Sequence, residues 1–212
     1  MANQLAFKIK THGGPRRGAG RPRAGEKKLA HVARPQLNEK IPSHVTLKFK
    51  KDVPNLRCEA FLREFTRGIG KAKAKGLAVT QFSIESNHIH MLIEVESNDT
   101  LKCGLLSLQG CITWGLRRVF KYFGEVFVDR FHLHAIKSPR EMKHALGYVI
   151  FNHAKHCGIV WFRDVYSSGF TRNEFGKDVR QPRSPKWQSE IEKALTPATS
   201  WLQKCGWKRA TS

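Results

Sequence analysis

Residues 86–95 read Ser-Asn-His-Ile-His-Met-Leu-Ile-Glu-Val. The run has the two-residue period of a strand, so Ile89, Met91, Ile93 and Val95 share one face and His88 and His90 share the other. Residues two apart on a strand have Cα atoms about 6.5–7 Å apart. Two imidazoles at that spacing can converge on one cation, and neutral imidazole suits borderline divalent metals. The same pattern also describes a polar strand face that carries histidine without a ligand. A second His-x-His, His132-Leu133-His134, competes for the metal role and offers instead a second base or a phosphate contact. Further on, His144, Tyr148, Asn152 and His156 recur every four residues, with Lys155 beside them. On a helix this places a phenol, an amide and two imidazoles in one row.

These groups need elements to hold them. Residues 44–49 alternate Val45, Leu47 and Phe49 against Thr46 and Lys48, which predicts a first strand. A helical period follows from Asn55 to about Lys75. Its inner stripe is Cys58, Leu62, Phe65 and Ile69. Arg63, Arg67 and Lys71 form a basic stripe beside it, either an ordinary solvated face or a phosphate track. Residues 77–84 predict a second strand, joined to the His88 strand as a hairpin. A long helix is expected from about Asp99, its N-cap, to Phe123, with Gly124 as its stop. Residues 126–136 predict a fourth strand. Ser138-Pro139-Arg140-Glu141 is a capping box with proline in the first turn, and the helix it starts should run to Cys157 and stop at Gly158. Met142, Leu146, Val149 and Ile150 are its buried stripe. A short amphipathic tail over residues 199–207 is expected to dock Trp201, Leu202 and Trp207.

The chain of 212 residues carries 38 Lys and Arg against 17 Asp and Glu, a formal charge of +21. Such an excess points to a polyanionic partner, nucleic acid first. No apolar run approaches a membrane span and the N-terminus lacks a signal-peptide layout, so a soluble, cytoplasmic, nucleoid-associated protein is expected, with no membrane partner. The five cysteines are scattered and form no C-x-x-C pair, which argues against a zinc ribbon or a disulfide framework and for reduced, buried thiols. Residues 1–42 read as a basic, disordered Gly/Pro/Arg-rich arm. Within it Arg16, Arg17, Arg21 and Arg23 are candidate DNA contacts, and Gly20-Arg21-Pro22-Arg23 is similar to the centre of an AT-hook, which lays arginine into a narrow minor groove. Residues 43–160 form the expected catalytic domain and residues 161–212 a C-terminal extension.

The combination of H-I-H on a strand and Y-V-I-F-N-H-A-K-H on a capped helix resembles the single-tyrosine HUH transposases, in particular the REP-associated tyrosine transposases. The Gly-Arg-Pro arm ahead of H-V-T-L-K, D-R-F-H-L-H before the tyrosine helix, and S-W-L-Q-K-C-G-W-K-R near the end are similar to that group too. The resemblance covers about Gly13 to Arg209. It implies an α+β, ferredoxin-like antiparallel sheet with packed helices, the HUH endonuclease fold. It implies a metal-dependent endonuclease and strand transferase acting on single-stranded or hairpin DNA. Carried over, His88 and His90 are metal ligands, Tyr148 is the nucleophile, and Asn152 stands where the family's third ligand comes from. An amide oxygen is a reasonable ligand for Mg²⁺ or Mn²⁺. His132, Lys155 and His156 remain open as proton shuttle or phosphate contact.

The principal alternative is a domesticated, non-cleaving regulator of the same fold that binds DNA hairpins. A two-histidine phosphodiesterase of RNA ends wants His-x-Ser/Thr in each motif, whereas both histidine pairs here are His-x-His. An RNA-recognition domain is disfavoured because no stretch resembles its aromatic stacking motif. The oligomeric state and the DNA target stay open.

Overall fold

The computed structural model describes residues 35–158, 164–170 and 188–210. Four strands, β1 (Ser43–Lys48), β2 (Ala78–Ile84), β3 (His88–Glu94) and β4 (His132–Ala135), form one antiparallel sheet in the order β2-β3-β1-β4. Helix α1 (Glu59–Lys73) connects β1 to β2 and α2 (Asn98–Phe120) connects β3 to β4. This β-α-β-β-α-β order with the first and third strands central is the ferredoxin-like arrangement that the resemblance implied.

One sheet face buries Val45, Leu47, Ile89, Met91 and Ile93 against Phe61, Leu62, Phe65 and Ile69 of α1 and Leu101, Leu105, Leu108 and Ile112 of α2. The opposite face is covered by α3 (Pro139–His156). There Leu92 meets Met142, Leu146, Val149 and Ile150, the stripe read from the sequence, together with Trp207 from the C-terminal segment. His88 and His90 of β3 lie on this second face.

Several boundaries differ from the sequence reading, each for a local reason. Helix α1 begins at Glu59 rather than Asn55, because the Asn55 side chain accepts from Arg57 N (3.0 Å) in a turn and Cys58 takes the cap position. Cys58 is therefore a cap, and Phe61 is the buried residue of the first turn. Helix α2 is capped by Ser97, one position before Asn98, and ends on Lys121 in the left-handed region (φ 54°) rather than at Gly124. Strand β4 is far shorter than residues 126–136. From Thr46 to Phe49, β1 advances three residues, while its partner spans five between His132 and Phe127, so the ladder breaks and resumes only as the Phe49–Phe127 bridge. Gly76 (φ 82°) and Gly158 (φ 65°) supply the left-handed turns after α1 and α3. Ser138 caps α3 as expected, but Glu141 reaches back to Lys137 N (2.9 Å).

Of the basic stripe on α1, Arg63 pairs with Glu59 and Arg67 with Glu64 (3.0 Å), the behaviour of a solvated face. Cys103, Cys157 and Cys205 are exposed and Cys58 and Cys111 half-buried, so the thiols are free but not sequestered; Cys58, Cys157 and Cys205 take helix-cap positions. In the tail, Trp207 is buried and Leu202 packs beside it, whereas Trp201 is half exposed. Among the described residues no helix is long and apolar enough to cross a membrane.

Candidate functional site

The site is built where β1, β3 and the β2–β3 hairpin meet α3. Pairing places Thr46 beside His90 and Lys48 beside His88, and on the other edge His44 beside His134 and Thr46 beside His132. Directly paired residues point to the same side of an antiparallel sheet. His44, His88, His90, His132 and His134 therefore share the α3 face.

The rings of His88 and His90 lie 4.7 Å apart, centroid to centroid. His88 Nδ1 is 2.8 Å from Asn87 Oδ1, to which it can donate. His90 Nδ1 lies 3.0 Å from Thr46 Oγ1 and 3.2 Å from His44 Nε2. Both rings are thus oriented through Nδ1, the arrangement that aims the other ring nitrogen at a ligand.

Tyr148 reaches the same place from the middle of α3. Its ring meets His90 edge-on at 4.9 Å and His44 at 5.8 Å. It is also 41% exposed, so the phenol faces an open cleft of about 1000 Å³. His44, His134, Arg140, Lys143, His144, Asn152 and Lys155 line that cleft, giving it a basic wall. Asn152, one turn along, is buried; its Nδ2 donates to Glu85 Oε1 (2.9 Å), and its Oδ1 is buried with no hydrogen-bond partner among the described residues. A buried acceptor left so costs about 1–3 kcal/mol. Two imidazoles and an amide oxygen are a donor set that fits a divalent cation.

A second group of ligating type lies behind the first. Glu85, His153 and Asp164 bring one atom each within 4.8 Å of one another, a spacing that could hold a metal. Arg57 already supplies a cation there. It donates two hydrogen bonds to Asp164 (2.9 and 2.7 Å) and stands 3.9 Å from Glu85. A bidentate guanidinium–carboxylate pair satisfies these oxygens without an ion.

Of the residues singled out from sequence, His90 stands against both His88 and Tyr148, and Asn152 is bonded to Glu85, whose backbone N–H donates to the His88 carbonyl. Lys155 lines the cleft. His132 is exposed on β4 opposite Thr46, and His134 stands 3.7 Å from Glu141. The side chain of His156, and Arg16, Arg17, Arg21 and Arg23, lie outside the described residues. Sequence reasoning passed over His44, Thr46 and Glu85. His44-Val45-Thr46 carried the same period-two signal as the His88 strand. It is also the single His-x-Thr of the chain, and the two-histidine phosphodiesterase chemistry would need a second.

Burial holds the His44 imidazole down to about 4, helped by His132 and His134 across the strand pair. His44 is therefore neutral at pH 7 and able to accept at one ring nitrogen. A histidine with a lowered folded value stabilises the fold above its unfolded value near 6.5 and loses that contribution as pH falls toward 4. His90, Tyr148, His132 and His134 are the groups that face it. We predict a stability loss of up to about 3 kcal/mol between pH 6.5 and 4 from this group. Urea midpoints measured across that range should fall less steeply in His44→Gln; parallel curves would assign the loss elsewhere.

No family model and no curated protein matches the sequence. Among solved structures, the REP-associated tyrosine transposase bound to a REP hairpin is similar with a TM-score of 0.52 at 16% identity, over 74% of this chain and 98% of that one. A candidate transposase from Deinococcus radiodurans gives a TM-score of 0.38 at 14% identity, over 63% of this chain and 94% of that one. A bacterial tRNA(His) guanylyltransferase-like protein in complex with GTP gives 0.44 at 10% identity, over 73% and 76%. The first likeness establishes the fold: this chain has the α+β fold of a REP-associated tyrosine transposase.

Proposed function

We propose that the chain is a metal-dependent single-stranded DNA endonuclease and strand transferase acting at hairpin or palindromic DNA through Tyr148. The observation that carries this reading is the exposed Tyr148 phenol standing on the ring of buried His90 at the mouth of a basic cleft. A structural tyrosine would have its hydroxyl at the edge of an apolar cluster; this one has histidines on its inner side and solvent on the other. The transposase whose fold the chain shares is itself bound to a REP hairpin, which supports the choice of a hairpin substrate.

His88, His90 and Asn152 would hold a Mg²⁺ or Mn²⁺ ion, which when bound offsets phosphate charge and polarises the scissile P–O bond. His90 Nδ1–H can be shared between Thr46 Oγ1 and His44 Nε2, both of which can accept while His44 is neutral, and this would leave the other ring nitrogen of His90 for the ion. Arg140, Lys143 and Lys155 bind and orient the strand by its phosphates. The Tyr148 oxygen attacks phosphorus in line, the phenolic proton leaves to solvent or to a cleft base, the bond from phosphorus to the 3′ oxygen breaks, and that oxygen takes a proton from solvent or the same base to leave as a free 3′-OH. Of the three residues left open from the sequence, His132 and His156 are the candidate shuttles for that proton, and Lys155 is a phosphate contact. The product is a 5′-phosphotyrosine, whose ester retains the bond energy. The 3′-OH of another strand can therefore reverse the attack and join.

Incubation of labelled single-stranded hairpin DNA with the protein and Mn²⁺ or Mg²⁺ tests the reading. A covalent protein–DNA band is expected. Tight binding without one, under every metal and hairpin tried, would leave the non-cleaving regulator.

The arm adds a separate prediction. Residues 1–30 hold eight Lys and Arg and none of the proposed catalytic groups. For every phosphate that the arm no longer neutralises, the dependence of log affinity on log salt flattens by roughly 0.7–0.9. A chain lacking these residues should bind DNA more weakly with a shallower salt slope and still cleave at saturating DNA. An unchanged slope would show that the arm does not touch DNA.

A further inference from the structure

We infer that Glu85 is a positioning residue that decides which end of the Asn152 amide faces the site. The inference rests on the reading of Asn152 as a ligand. Glu85 closes β2 at the hairpin, and its carboxylate is buried. Oε1 accepts from Ser83 Oγ (2.9 Å) and from Asn152 Nδ2 (2.9 Å). Oε2 lies 3.4 Å from His153 Nδ1 and 3.9 Å from Arg57 Nη1, so positive or donating groups face it on that side.

The chemistry of the pair is one-sided. A carboxylate offers oxygens and no hydrogen, and an amide has a donating and an accepting end. The end that meets Glu85 must be Nδ2. Oδ1 is then turned away from Glu85, and it is this oxygen that is buried without a partner among the described residues. Rotating the amide by half a turn would set Oδ1 against the carboxylate and present two N–H groups to the site, where they would repel a cation. Glu85 thus selects the liganding rotamer without touching the metal. Arg57, through its bidentate pair with Asp164 and its bond to the Ile84 carbonyl (2.7 Å), holds the backbone and the charge on which Glu85 depends.

The test is Mn²⁺ binding to the full chain, read from the electron paramagnetic resonance signal of free aquated Mn²⁺, with thermal melting to confirm folding. Asn152→Ala and Glu85→Ala should each weaken Mn²⁺ binding about 10-fold or more, in the range that outer-shell partners command. The double variant should be no weaker than Asn152→Ala alone, because Glu85 acts only through that amide. Glu85→Asp keeps the charge beside Arg57 but is one methylene short of Asn152. It should repeat the loss, and it stands in if Glu85→Ala does not fold. Wild-type affinity in the Glu85 variants, or additive losses in the double variant, would overturn the inference while leaving Asn152 a ligand. If His88→Ala leaves Mn²⁺ binding intact and His153→Ala weakens it, the ion belongs to the Glu85–His153–Asp164 group, and both the ligand assignment and this inference fall.

Discussion

Replacing Tyr148 with phenylalanine is expected to abolish covalent capture of DNA while leaving hairpin binding near its native affinity. The substitution deletes one oxygen. That oxygen faces the cleft, whereas the ring packs on His90 and His44, so the ring packing and the basic wall survive. The remaining tyrosines cannot take over. The Tyr122 hydroxyl shares its one hydrogen between Asp52 and the Glu125 carbonyl (2.8 Å each), and Tyr166 lies with its ring against Arg57 at 4.7 Å. A denaturing gel with strands labelled at either end reads the result. In the wild type the adduct should carry the strand on the 3′ side of the cut, because tyrosine takes the 5′ phosphate. An adduct in Tyr148→Phe would remove the nucleophile assignment, and an adduct carrying the other strand end would reverse the polarity of the reaction.

His88→Ala and His90→Ala should each abolish cleavage, with Mn²⁺ affinity lowered by about 100-fold or more, beyond what outer-shell changes typically cost. His134→Ala should leave most of both. The three histidines share a sheet face but not an environment. His90 is 5% exposed and held at Nδ1 by two neighbours, and His88 stands against it and is anchored to Asn87. His134 is exposed near the carboxylate of Glu141 and lines the cleft away from the His88–His90 pair. His88 is the cleaner probe, since it is less buried than His90 and leaves no deep cavity. Cleavage abolished in His134→Ala and retained in the other two would move the metal to the β4 pair.

What lies within one element was legible from the residues and their spacing. A period of two put His88 and His90 on one face, a period of four put Tyr148 and Asn152 in one row, and Ser138 with Pro139 marked where that row begins. These are consequences of backbone geometry over a few residues, and no distant partner is needed to read them. What crosses between elements came from the folded chain. The β1–β3 register set His44 and Thr46 beside His90, and the hairpin end carried Glu85 under Asn152. Two extra residues between Phe127 and His132 shortened β4. Arg57 and Asp164, 107 positions apart, closed into one ion pair behind the site. Each depends on which backbone groups pair over long separations, and that is set by the burial of a whole sheet face rather than by any local pattern.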